Sequence, residues 1–164
     1  MALNQSLIPE FEQEAKSTRK ILERVPLEKS AWKPHPKSTA LGQLAVHVAE
    51  LHGWPGSMLS SNELDFAKID YKPSTANTTS ELIDVFEANY SKGLNSIKNA
   101  TDEMLLQNWT LRNGERIFFT LPRITVIRTG FNHIYHHRAQ LGVYLRLLDI
   151  PLPFIYGPTA DEPM

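Results

Sequence analysis

Hydrophobic residues recur at helical spacing in two stretches of the first third of the chain. In the first stretch, from about Leu7 to Val25, they stand three and four residues apart and share one face of a helix. The second stretch begins near Ser38 or Thr39, either of which suits a helix N-cap, and its apolar face consists of Leu41, Leu44, Val48 and Leu51. Both stretches predict amphipathic helices.

Two further helices have recognisable starting signals. Thr78 and Glu81 have the spacing of a capping box, in which the two residues satisfy each other's free backbone N–H groups. The third predicted helix continues from there to about Ile97. The fourth and longest runs from about Pro122 to Leu148, and proline is favoured in a first turn because its missing N–H has no partner there anyway.

A short β-hairpin is predicted before the fourth helix. Asn113-Gly114 separates two short runs that contain hydrophobic residues, and Asn-Gly favours a tight hairpin turn; a plain loop is the alternative. Helices with one apolar face each can bury those faces against one another. We therefore predict an all-α fold in one domain, residues 1–164: a four-helix bundle with a long crossover between helices 2 and 3 and a small β-hairpin before helix 4.

Composition narrows the classes of function. The chain has 164 residues, with 17 Lys+Arg against 18 Asp+Glu and a formal net charge of -1, so a nucleic acid is not expected as a partner. No apolar run approaches the roughly 18 residues of a membrane span, and the amino terminus does not resemble a secretory signal. We expect a cytoplasmic protein without a membrane partner. Because the chain has no cysteine, any metal ligands must be nitrogen or oxygen atoms.

Histidines are the candidate metal ligands. His133 and His137 stand four residues apart in the fourth predicted helix, so they lie on one face and can share an ion. On a helical wheel both border the apolar stripe, whereas His136 points away from it. His47 flanks the apolar stripe of the second helix and is the best third ligand. The alternative is that these histidines are merely hydrogen-bonded at the edge of the core.

Three neutral imidazoles with water completing the shell would form an open site, at which a metal can polarise a substrate oxygen or activate a water or thiol. We expect a divalent ion, with Zn or Ni first, although imidazoles also suit Co, Fe and Cu. Glu50 could act as a base, but a solvated carboxylate is expected. Other polar or aromatic residues could line the pocket or orient the ligands: Gln43, Trp54, Asn132, Arg138 and Gln140. For Arg138, anchoring the tail or the hairpin is favoured over binding substrate.

The residues around these histidines resemble the signature of the DinB-like (damage-inducible, DinB/YfiT) superfamily. In that signature a late helix carries Asn-His-x-x-x-His-Arg-Gly-Gln, and here Asn132-His133 is followed by His137-Arg138-Ala139-Gln140. Alanine replaces the usual glycine. The resemblance covers most of the chain and includes Trp32-Lys33-Pro34, the segment LGQLAVHVAEL around His47, YKPSTANTTSEL, and the ending from Pro153 to Pro158.

This resemblance implies a four-helix bundle, often dimeric, that binds a divalent metal through His47, His133 and His137. Some members of the superfamily are metal-dependent thiol transferases, and others are hydrolases or isomerases. Two hypotheses follow. The first is a metal-dependent enzyme that transfers a low-molecular-weight thiol to an electrophilic small molecule, or hydrolyses its substrate. The second is a non-catalytic stress-response or small-ligand-binding protein with a structural or adventitious metal.

Overall fold

Six α-helices, two 3-10 helices (Leu27–Lys29 and Leu51–Gly53) and three short strands form the computed structural model, which describes residues 2–163. The helices are α1 (Asn4–Leu22), α2 (Leu41–Glu50), α3 (Trp54–Ser60), α4 (Thr79–Asn99), α5 (Asp102–Leu106) and α6 (Arg123–Leu147). The strands are β1 (Glu63–Asp65), β2 (Asn108–Asn113) and β3 (Arg116–Pro122). The chain is therefore mostly helical, as its hydrophobic pattern predicts.

The four predicted helices correspond to α1, α2, α4 and α6. Both α1 and α2 pack against α4 and against α6. Their apolar faces form a core that extends along the helices, and its largest fully buried side chains include Phe11, Leu41, Phe86, Ile134 and Leu141. Within residues 2–163, no helix combines the length and the apolar character needed to cross a bilayer.

The start of α2 differs from the prediction. Neither Ser38 nor Thr39 caps the helix, which begins at Leu41. The N–H of Leu41 donates to the carbonyl of Trp32 at 2.9 Å, and the N–H of Gly42 donates to that of Ser30 at 2.9 Å. The preceding turn thus satisfies the free N–H groups of the first helical turn, and a capping side chain is not needed.

Only half of the predicted capping box forms at the start of α4. The hydroxyl of Thr78 accepts the N–H of Glu81 at 3.2 Å, but the carboxylate of Glu81 accepts the N–H of Asn77 instead of that of Thr78.

At the carboxyl-terminal end of α6, Asp149 has a φ of 58°, and the N–H groups of Asp149 and Ile150 donate to carbonyls of the last helical turn. This is a Schellman motif with aspartate in the position where glycine is usual.

The predicted hairpin is present, but it belongs to a three-stranded sheet with the order β1-β2-β3. Strand β1, which was not predicted, pairs in parallel with β2. The turn residues are Gly114 and Glu115, and only Gly114 has a positive φ, of 59°. The carboxylate of Asp65 in β1 accepts the N–H of Gly114 at 2.8 Å and so ties the turn to the first strand. The crossover between the second and third predicted helices, which are α2 and α4, therefore contains both α3 and β1.

His52 is fully buried in the core just after α2. Its Nδ1 lies 3.1 Å from the carbonyl of Val48, and its ring contacts those of Phe11 and Phe86. Its Nε2 has no hydrogen-bond partner among residues 2–163. Burial lowers the pKa of His52 to about 3, and the charge of Arg138 lowers it further, whereas the bond to Val48 opposes the shift. The ring is therefore neutral in the folded protein.

The neutral state of His52 predicts an acid-dependent loss of stability. Between about pH 6.5 and pH 3 the unfolded chain takes up a proton that the folded chain does not, so the free energy of unfolding falls as the pH falls. The difference between the wild type and His52→Leu, measured by urea denaturation from pH 7 to pH 4.5, should change by up to about 1.4 kcal/mol per pH unit, with the wild type losing more. A difference independent of pH would contradict this assignment.

Candidate metal centre

Three histidines from two helices meet at one point in the structure. His47 projects from α2, and His133 and His137 project from successive turns of α6. The ring centroids lie 4.8 Å apart for His47 and His137, 5.4 Å for His47 and His133, and 4.6 Å for His133 and His137. One nitrogen atom from each ring lies within 4.8 Å of the other two. Of the six histidines, these are the three that the sequence selects as candidate ligands.

Gln140 orients one of these rings. Its side-chain oxygen lies 2.7 Å from Nδ1 of His137, and because an amide oxygen only accepts, Nδ1 carries the proton. In neutral His137 the lone pair is then on Nε2, which faces Nε2 of His133 at 2.7 Å. The ring of His137 thus presents a lone pair to the centre of the cluster, as a metal ligand must.

The surroundings favour uncharged imidazoles. Burial lowers the pKa of His133 to about 4, and the neighbouring His137, His47 and His136 lower it further. Burial and His137 also lower the pKa of His47, against an opposing effect of the Glu50 carboxylate. Neutral imidazole is the form of the ring that binds a metal ion, and these shifts favour that form for His47 and His133 at pH 7.

The donor set fits a divalent cation of the first transition row. Neutral imidazoles suit Zn, Ni, Co and Cu, and three protein ligands leave at least one coordination position open. Two nitrogen ligands on one tetrahedral zinc lie roughly 3.3 Å apart, so His133 and His137 need to separate by about half an ångström. Both side chains are only half-buried, which leaves room for that movement.

A cavity of about 920 Å³ opens beside the cluster and includes His47 and His133 in its wall. The ring of Trp54, the first residue of α3, stands almost perpendicular to that of His133 at 5.0 Å. The other walls come from α4, from α6, from the sheet and from the segment after β1. The histidines therefore border a space that is large enough for a small molecule.

The other candidate residues are distributed more widely than the sequence indicates. Trp54 lines the cavity, and Gln140 contacts His137. Gln43 and Asn132 are exposed and lie outside the cavity wall. Arg138 is buried away from the cavity, where its guanidinium donates to the carboxylate of Glu14 at 2.6 Å, to the backbone carbonyl of the same residue, and to the hydroxyl groups of Thr18 and Tyr156. Arg138 thus joins α6 to α1 and to the carboxyl-terminal tail.

Glu50 has a role that the sequence analysis does not predict. Its carboxylate accepts hydrogen bonds from the hydroxyl of Tyr71 and from the N–H of Ser74, at 2.8 Å for the latter. Burial and this carboxylate raise the pKa of Tyr71 to about 12, so the phenol keeps its proton. Glu50 therefore fastens the crossover segment, which supplies part of the cavity wall, to the helix that carries His47. Local sequence patterns do not predict such a long-range contact.

The whole chain can be compared with known proteins. Its sequence matches the model of the DinB family over residues 1–163. The chain belongs to the DinB family. Among curated proteins, the uncharacterized protein YrdA from Bacillus subtilis (strain 168) is 27% identical over 157 residues, which cover 93% of this chain and 87% of that protein.

Solved structures of DinB-like proteins have the same fold. A DinB-like protein from Bacillus cereus ATCC 10987 superposes with a TM-score of 0.70 at 20% sequence identity, covering 94% of this chain and 98% of that one. The DinB-like protein YjoA from Bacillus subtilis gives a TM-score of 0.71 at 15% identity, with 92% and 96% of the two chains covered. At such identities the likeness establishes the shared fold.

The position of Arg138 predicts a large loss of stability in Arg138→Met. The Arg138 and Glu14 side chains are only 4% and 11% exposed, and removal of the guanidinium leaves a buried carboxylate without its partner. We expect the free energy of unfolding in urea to fall by about 3–5 kcal/mol. Arg146→Met is the matched control, because the ion pair of Arg146 with Asp161 is half-exposed and should contribute less than about 1 kcal/mol. Equal losses in the two variants would contradict the interpretation.

Proposed function

We propose that this DinB family member binds one divalent metal ion through His47, His133 and His137, and that it is a metal-dependent enzyme acting on a small molecule. The observation that supports this most directly is the convergence of the three rings, with a donor nitrogen of each within 4.8 Å of the others. The adjoining cavity gives a substrate access to the open side of the cluster. Zn and Ni are the first candidates for the ion.

The chain's own residues hold and orient the ligands. A divalent ion with an open position supplies Lewis-acid chemistry, which lowers the pKa of a bound water or thiol. Gln140 keeps the lone pair of His137 directed at the centre through its bond to Nδ1. Trp54 packs edge-on against the ring of His133 in the wall of the cavity.

The reaction that we favour is transfer of a thiol to an electrophile. The thiol sulfur forms a bond to an electrophilic carbon, the leaving group departs with its electron pair, and the thiol proton passes to solvent. Because the chain contains no cysteine, the thiol must belong to a low-molecular-weight cosubstrate. Hydrolysis, in which water takes the place of the thiol, is the second reaction that suits an open site of this kind.

Metal content should follow the histidine cluster in a graded way. In tag-free protein loaded with Zn or Ni and measured by elemental analysis, the wild type should carry one ion per chain. Gln140→Ala should weaken binding about 10–100-fold, because it removes the group that orients His137. His137→Ala should weaken binding by more than about a hundredfold, because it removes a ligand itself.

His136→Ala is the matched control for these variants. His136 adjoins His137 in the sequence, but it is exposed and lies outside the three-residue cluster. Its replacement should leave the metal content unchanged. A wild-type protein that holds no stoichiometric metal, and whose melting temperature responds neither to a chelator nor to added Zn or Ni, would exclude the proposed site.

An activity assay distinguishes the proposed enzyme from a metal-binding protein without catalytic activity. Metal-loaded wild type should accelerate the reaction of 1-chloro-2,4-dinitrobenzene or a related electrophile with at least one of several low-molecular-weight thiols, releasing chloride and a proton. His137→Ala should lose this activity and His136→Ala should keep it. A protein with full metal content that turns over no thiol and no hydrolysable ester would favour the non-catalytic alternative.

Other expectations from the sequence remain predictions. They are the organisation of the chain as one domain, its classification as a four-helix bundle, the homodimer and the cytoplasmic location. Exposed Val143 and Leu147, which are neighbours on one face of α6, are consistent with a surface that a second copy would cover.

A further inference from the structure

Gly130, in the middle of α6, has no packing reason to be glycine. Gly93 in α4 illustrates the usual reason, since a Cβ atom there would lie 2.1 Å from the backbone oxygen of His52. A Cβ atom at position 130 would meet only the terminal carbon of Met58, at an ordinary contact distance of 3.5 Å. Glycine inside a helix costs roughly 0.5–1 kcal/mol relative to alanine. Packing therefore does not require glycine at position 130, and what distinguishes it from Gly142, which also has open space at its Cβ position, is its place in the cavity wall.

Gly130 forms part of the cavity wall, three residues before His133 in α6. Residues three apart in a helix are neighbours on one face, so a side chain at position 130 would stand next to the His133 ring. Because there is almost nothing within contact distance of that position, the side chain would occupy cavity space. The missing side chain thus keeps the cavity open where it adjoins the histidines.

The rest of the cavity wall is mainly apolar. Trp54, Met58, Trp109, Leu111, Phe119 and Val126 line it. Three charged residues, Glu50, Asp70 and Lys92, also border the cavity. Glu50 accepts hydrogen bonds from Tyr71 and Ser74, Asp70 is 83% exposed and pairs with Lys72, and Lys92 is exposed to solvent. Apolar groups that leave water for such a wall gain about 0.8 kcal/mol for each CH₂. Aromatic and apolar walls with a few polar groups at one end are typical of small-molecule sites.

We propose that the cavity binds an uncharged, largely apolar small molecule, and that Gly130 determines specificity by leaving the space that this molecule occupies beside His133. The inference rests on the proposed function in one respect, namely that the histidine end of the cavity is where the bound molecule reacts. Trp54 and Trp109 contact the body of the molecule. Substrates with a bulky apolar group next to the reacting atom are those that a side chain at position 130 would exclude.

The experiment uses N-phenyl-1-naphthylamine, an uncharged aromatic probe whose fluorescence increases in apolar surroundings. Wild type should bind the probe saturably at one site per chain. Gly130→Leu occupies the part of the cavity beside His133 and should weaken binding by at least about tenfold. Gly142→Leu is the matched control, because Gly142 lies in the same helix with nothing within 4 Å of its Cβ position and is outside the cavity wall. Its affinity should equal that of the wild type.

A second pair of variants covers the case in which leucine at position 130 prevents folding. Gly130→Ala adds one methyl group at an ordinary contact distance and should weaken binding about fourfold, with Gly142→Ala unchanged. Circular dichroism and melting temperature verify the fold of each variant. Absence of saturable binding to the wild type, or equal binding to folded Gly130 and Gly142 variants, would overturn the inference.

The metal content of the same samples separates this inference from the proposed function. Probe binding that depends on position 130 in a protein without stoichiometric metal would support the apolar cavity and exclude the metal site. A protein with full metal content that does not bind the probe would exclude the apolar ligand and leave the metal site intact.

Discussion

The packing of α2 against α6 is the contact on which the candidate metal centre depends. Leu44 and Val48 of α2 and Leu141 of α6 are all buried in one part of the core. Their burial sets the rotation of each helix about its axis, because a helix that turned away would expose these side chains. With the rotation set, His47 on one helix and the histidine pair on the other have to point into the same space.

Arg138 also fixes the orientation of α6, through contacts with α1 on a different side of the helix. It directly follows His137, and its guanidinium is buried against α1, where Glu14 and Thr18 accept its hydrogen bonds. Successive residues of a helix point about 100° apart, so an arginine fixed on the α1 side leaves its neighbour on the side of α2. The dipeptide His137-Arg138, which is part of the segment that resembles the family signature, therefore combines a candidate ligand with the residue that positions its helix.

Local patterns predict the helices and the His133–His137 pair because both depend on short spacings. The apolar period identifies α4 and α6, and a separation of four residues places His133 and His137 on one face. The sequence does not predict β1, because a three-residue strand is stabilised by a parallel partner far along the chain. It misplaces the start of α2 because distant carbonyls, those of Ser30 and Trp32, replace the expected cap. Local patterns do not predict the cavity either, because its walls come from several helices, from the sheet and from the crossover segment.

The fastening of the crossover by Glu50 has a consequence for how such a protein can diversify. The segment that Glu50 holds carries cavity-wall residues but none of the three histidines. Insertions or replacements in that segment would change the shape of the cavity. The helices α2 and α6, which carry the three histidines, would keep their positions relative to each other. Changes confined to one loop would then alter what the cavity accommodates and leave the histidine cluster unchanged.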